Sequence, residues 1–228
     1  MADLPISLPP ILAAELSLAL DAEGKIPRAL DALGPIGDRD VVLVGGGAEE
    51  TRRLSTIGAR ITKVEPLNGS PTAAWPLPTD SADAVVAAWS GFRGVDGREL
   101  DEAHRILRPG GRLLVVHDYG RDDVSRLRGD QPEYSDWSRR DGPFLSAGFR
   151  IRVVHCFWTF GSVTAAQAFL AAAFGPAGQL VADDLKRPRL SYNVAIYHRT
   201  FGETGLADGG PIAGARTETT AEATTAAG

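Results

Sequence analysis

One stretch, Asp40 to Leu54, constrains this chain more than any other. The run Val41-Val42-Leu43-Val44 reads as a strand buried on both faces, because its apolar residues follow one another instead of alternating. Gly45, Gly46 and Gly47 come next, and a short amphipathic helix over Ala48–Ile57 ends at Gly58. Buried strand, glycine turn and helix N-terminus, in that order, mark the edge of an open α/β sheet where a nucleotide-like ligand docks. Glycine lets the backbone turn tightly and approach such a ligand, and the first helical N–H groups point at it.

The rest of the chain reads as alternating elements around that strand. Pro9-Pro10 lead into a helix with Ile11, Leu12, Leu16 and Leu20 on its apolar face. A second helix carries Ile26, Leu30 and Leu33, with Pro27 in its first turn and Gly34 as its stop. Both are expected to pack across the sheet in front of the first strand. Ile61 to Glu65 reads as a second strand that ends in a carboxylate, at the spacing from Gly45 that lets an acid reach ribose hydroxyls. Pro66 to Pro78 is rich in proline and leaves no room for the usual helical crossover of a dozen residues, so a third strand there is short, irregular or missing.

A strand over Ala84–Ala88 follows, then a helix with Leu100, Ala103, Ile106 and Leu107 inward, stopped by Pro109-Gly110-Gly111. Arg112–His117 is the next strand, and Asp118–Arg140 reads as a polar loop with a turn or two of helix. A short helix up to Gly148, a long strand over Phe149–Phe160, a helix from Ser162 or Thr164 to Gly175 and a last strand over Leu190–Arg199 complete the order. Alternation of this kind predicts a mostly parallel sheet with helices on both faces. Residues 203–228, rich in Gly, Ala and Thr, are predicted to be a disordered tail.

Composition narrows the function classes. The net charge is −5 over 228 residues, with no basic block, which argues against nucleic-acid binding through charge. No stretch approaches the ~20 apolar residues of a membrane span, and the apolar start lacks the basic region of a secretory signal. A cytoplasmic protein with no membrane partner is the simplest expectation. Cys156 stands alone, so neither a disulfide framework nor a cysteine metal site exists, and it reads as a small core residue. Asp118, Asp122 and Asp123 lack ligand spacing and read as a solvated acidic loop, with no metal expected. His155 reads as a core histidine, His104 and His198 as surface, and Tyr134, Trp137, Phe157, Trp158 and Phe160 as core aromatics more often than pocket walls.

Four segments then occur in a fixed order: Val41–Glu50, Glu65, Trp75-Pro-Leu-Pro-Thr-Asp-Ser-Ala-Asp-Ala-Val-Val86, and Glu102-Ala-His-Arg-Ile-Leu-Arg-Pro-Gly-Gly-Arg-Leu-Leu-Val-Val116. Together they resemble the class I S-adenosylmethionine-dependent methyltransferases of the small-molecule branch. The likeness runs from about Asp40 to Val116 and is weaker beyond, and the Arg105–Leu114 run is its most specific part. The resemblance implies a Rossmann-like, mostly parallel sheet of seven strands with a reversed C-terminal edge strand. It implies a methyltransferase-like α/β domain over 1–202, S-adenosylmethionine as cofactor and a small-molecule methyl acceptor, and it leaves the oligomeric state open. Gly45, Gly46 and Gly47 would then line the methionine and ribose part of the cofactor, Glu65 would hold the ribose hydroxyls, and Trp89 and Ser90 would face the reacting methyl. His117 or Tyr119, just past a strand's carboxyl end, are the candidate general bases.

The departures from the family pattern carry a second expectation. Leu43 stands where the family has an acid, Glu49 where it has a third loop glycine, the helix after Glu65 is gone, and the acid that meets the adenine amine maps near Pro71. A relative that keeps the fold but has lost catalysis, acting as a binding module, would look like this. Glu49 and Glu50 also argue against a dinucleotide, whose pyrophosphate needs the helix N-terminus that these carboxylates already occupy.

Overall fold

The computed structural model describes residues 7–67, 73–95, 97–129 and 132–202. Its strands are β1 (Asp40–Gly45), β2 (Arg60–Val64), β3 (Ala82–Ala88), β4 (Leu107–Asp118), β5 (Arg150–Thr159) and β6 (Arg189–Thr200). They form one sheet in the order β2-β1-β3-β4-β6-β5. The first four run parallel, and β6 lies antiparallel to both β4 and β5. This is the expected Rossmann-like sheet with a reversed C-terminal strand, although the described residues supply six strands and not seven. Strand β2 lies on one side of β1 and every later strand on the other, so the topological switch point falls at the carboxyl end of β1.

The central strands are apolar throughout because both faces are covered. Val41, Leu43, Ala84, Val86, Leu114 and Val116 form one layer, against α1 (Pro10–Ala19), α2 (Lys25–Leu33), α3 (Ala48–Thr56) and α8 (Val163–Asp183). Val42, Val44, Val85, Ala87, Leu113 and Val115 form the other, against α4 (Gly97–Ile106), α6 (Pro132–Trp137) and α7 (Pro143–Ser146). Between β4 and α6 lies one further short helix, α5 (Asp123–Arg128).

Among the described residues no strand or helix lies between Val64 and Ala82. Among the described residues, side chains tie this connection to the sheet and to α4. Trp75 is buried, its indole N–H donates to the Glu65 carbonyl at 2.9 Å, and its backbone N–H donates to the Glu102 carboxylate at 3.1 Å. Arg105 binds the same carboxylate at 2.8 Å and donates to the carbonyls of Trp75 and Leu77. The described end of the proline-rich segment, Trp75 to Leu77, is therefore stitched to α4.

Several local expectations are corrected. Ile11 is 81% exposed, while Leu16 and Leu20 carry the packing of α1. The first two helices share the face of α3 and α8 and reach across it to β5: Leu20 bridges Trp158, and the Asp21 N–H donates to the Phe157 carbonyl. His155 is exposed, bonded through Nδ1 to the Asn193 side chain at 2.8 Å, because β5 is an edge strand with one solvated face. Helix α8 is long and apolar enough by composition to cross a membrane, yet Gly175 (φ 56°, ψ −133°) breaks it where the sequence places a stop. The second arm folds back on the first, with Gln167 donating to the Ala182 carbonyl at 2.9 Å. The predicted tail, 203–228, and Pro71 lie outside the described residues.

Candidate functional site

Strand register brings the predicted groups together. Val44 pairs with Val64, so Gly45 and Glu65 leave adjacent strands side by side, and Gly45 pairs with Ala88, so Trp89 and Ser90 follow on the other side. Gly45 and Gly46 sit at φ +66° and +69°, which a side chain would strain. A Cβ on Gly45 would lie 2.3 Å from the Ser90 Cβ, so Ser90 already fills the space over that glycine. Glu65 is exposed, and among the described residues its carboxylate makes no hydrogen bond or ion pair.

The helix N-terminus beyond the glycines is satisfied internally. Gly47 has no side chain to cap α3, and the Glu50 carboxylate reaches back to accept its N–H at 2.7 Å. Glu49 turns instead to Arg52 and Arg53, at 2.6 and 2.8 Å. The bonds from Arg52, then those from Arg53 working against partial burial, hold its carboxyl down at about 2. An incoming phosphate would meet two carboxylates beside the first N–H groups of α3.

On the other side of the switch point a buried polar cluster ties the end of β4 to β3, α5 and β6. Asp118, the last residue of β4, is 1% exposed, and its carboxylate accepts from the Trp89 indole at 2.8 Å, from the Tyr192 hydroxyl and from the Arg128 guanidinium. Arg128 in turn lies over the Tyr134 ring, 4.7 Å from its centroid. Burial, and then the Asp118 charge, push the Tyr192 phenol well above its ordinary range, so it remains a donor. Trp89 holds a left-handed backbone (φ 51°), a conformation costly for a bulky residue and fixed here by its indole bond. The cavity beside Trp89, Glu50 and Leu54 measures about 30 Å³, room for a water molecule. Asp118, Arg128 and Tyr192 form the tightest polar cluster near the site, and sequence spacing did not connect them.

The candidate bases part company. His117 is fully buried on the α4/α7 face, with Nε2 3.2 Å from the Phe92 carbonyl and its ring 4.8 Å from that of Trp137. Tyr119 is half-buried and lines a groove of about 440 Å³ with Arg121, Arg128 and Tyr134. The nearby acids are structural and not a solvated loop: Asp122 caps α5 through the Ser125 N–H at 2.7 Å, and Asp123 accepts from the Ser191 N–H at 2.9 Å. No cluster of three metal-ligating side chains exists among the described residues.

No family model matches the chain, and no curated protein matches it. Among solved structures it is similar to an S-adenosylmethionine-dependent methyltransferase from Aquifex aeolicus, at 18% identity over 86% of this chain and 100% of that one, with a TM-score of 0.46. A methyltransferase of the same cofactor dependence from Mesorhizobium loti is 18% identical over 76% and 97% of the two chains, with a TM-score of 0.38. A geranyl diphosphate methyltransferase in complex with GPP and sinefungin is 15% identical over 77% of each, with a TM-score of 0.40. None of the three reaches 0.5.

The fit of S-adenosylmethionine can be judged from the residues themselves. Glu65, exposed and without a partner beside Gly45, suits ribose hydroxyls, and the self-capped helix disfavours only phosphate ligands. Ser90 against Gly45 and the Trp89–Asp118 bond fill the opposite end, so the methionine half fits only if these side chains give way.

Proposed function

We propose that this chain is a class I S-adenosylmethionine-dependent methyltransferase acting on a small-molecule acceptor. The observation that carries the reading is the placement of the Glu65 carboxylate, exposed and unbonded, next to Gly45 at the switch point of the sheet. Gly45, Gly46 and Gly47 would admit the cofactor's backbone-close part, Glu65 would hold the ribose, and Trp89 and Ser90 would border the methyl. When bound, the cofactor supplies an electrophilic methyl on a sulfonium. The chain's own task is then to hold the acceptor in line and keep water out. Tyr119, which lines an open groove past β4, is better placed to take a proton than His117, which is sealed under Trp137.

The closed side of the site favours a second reading, a relative that keeps the fold and serves as a binding module. A cavity of about 30 Å³ is far below the ~300 Å³ or more of a small-molecule pocket. Calorimetric titration with S-adenosylhomocysteine separates the two. The methyltransferase reading expects binding that weakens at least tenfold in Glu65→Ala. Absence of binding at millimolar ligand removes that reading and leaves the module.

A further inference from the structure

A second groove, of about 510 Å³, lies away from the switch point, between α5, the second arm of α8 and the start of β6. Its wall is apolar. Leu180 is 73% exposed, and Val181 and Leu185 beside it, packed against the core on one side, are only half-buried. Its rim is cationic, with four basic residues against two acids in a chain that is acidic overall. The charges are unequally committed. Arg126 pairs with Asp123, which also accepts from Ser191, and Arg189 lies over the Phe157 ring, 4.3 Å from its centroid. The side chains of Lys186 and Arg187 form no hydrogen bond or ion pair among the described residues. Asp184 is the remaining acid.

An exposed aliphatic strip ending at two uncommitted cations is complementary to one class of molecule, a single-chain amphiphile with an anionic head. The tail gains by leaving water along Leu180, Val181 and Leu185, and the head meets Lys186 and Arg187. A neutral chain would leave the cations unanswered, and a cationic head would be repelled by them. We propose that this groove binds fatty carboxylates or chemically similar anionic amphiphiles. The site is distinct from the glycine edge and stands whether or not that edge binds S-adenosylmethionine.

The test uses the full chain and monomeric laurate, with dodecyltrimethylammonium as the same tail under an opposite head and acetate as the same head without the tail. Binding is followed by calorimetry, and by amide NMR shifts at Leu180, Leu185 and Arg187. Laurate is expected to bind at least tenfold more tightly than either control. It should weaken at least tenfold in Leu180→Asp and in the double variant Lys186→Glu/Arg187→Glu, all exposed positions whose replacement leaves the core intact. The proposal is overturned if laurate does not bind, if the cationic probe binds as well, if both variants keep full affinity, or if the shifts map elsewhere.

Discussion

The two flanks of the switch point are built on opposite principles. On the β2 side, the exposed Glu65 carboxylate has no partner among the described residues, and the connection behind it is held by Trp75, Glu102 and Arg105. On the β4 side, Asp118 is sealed among Trp89, Arg128 and Tyr192, with every contact supplied by the protein itself. A buried carboxylate that has all its partners rigidifies a fold. An exposed carboxylate without partners adds nothing to stability and is free to bind. Under the proposed function, ligand recognition falls to the first flank and architecture to the second.

The largest effect is expected at Asp118. Removing one partner of a buried ion pair leaves the other charge unanswered, so Asp118→Ala should cost about 3–5 kcal/mol. In a chain of this size that lowers Tm by roughly 10 °C, measured by thermal melting. A loss below about 1 kcal/mol would mean the cluster is hydrated and loose. Tyr192→Phe is a finer cut through the same cluster. It removes one hydrogen bond to a charged group and keeps the ring, so about 1.5–3 kcal/mol should be lost in urea unfolding at unchanged m-value.

Glu65 should behave in the opposite way. Glu65→Ala is expected to leave unfolding stability within about 0.5 kcal/mol of the parent chain, as for a surface position without contacts. Under the proposed function it weakens S-adenosylhomocysteine at least tenfold, or about 1.4 kcal/mol. A variant that melts early and binds normally would reverse the roles of the two flanks.

Why one flank was readable in the sequence and the other was not follows from distance along the chain. The glycine turn, the acid at the end of β2 and the missing crossover are local patterns: a run of valines, three glycines, a cluster of prolines. Strand register then brought Gly45, Glu65 and Trp89 to one edge, as the motif order implied. The Asp118 cluster joins the ends of β3 and β4, helix α5 and strand β6, and no periodicity links Asp118 to Arg128 or Tyr192. The same limit explains His155. Its apolar neighbours predict burial, but only the sheet order reveals that β5 is an edge. It explains His117 as well, since position past a strand says nothing of Trp137 arriving from α6 to cover it.

The smallest effect compares the same chemistry in two settings. Glu49 with Arg52 and Arg53 is an acid–arginine cluster like Asp118 with Arg128, but it lies on the outer turn of α3. Its folded pKa, about 2, lies below the ordinary 4.5, so it contributes stability that is complete above about pH 4.5 and is lost as pH falls toward 2. Glu49 is 13% exposed but its Arg52 partner is 63% exposed, so water screens the cluster in part, and its worth is about 1 kcal/mol. Glu49→Gln should therefore lower stability slightly at pH 7 and remove that part of the acid limb, with parent and variant converging near pH 2 in denaturant titrations. A cost at pH 7 approaching that of Asp118→Ala would show that the glycine flank is held by charge as firmly as the β4 flank, and the division between the two would fall.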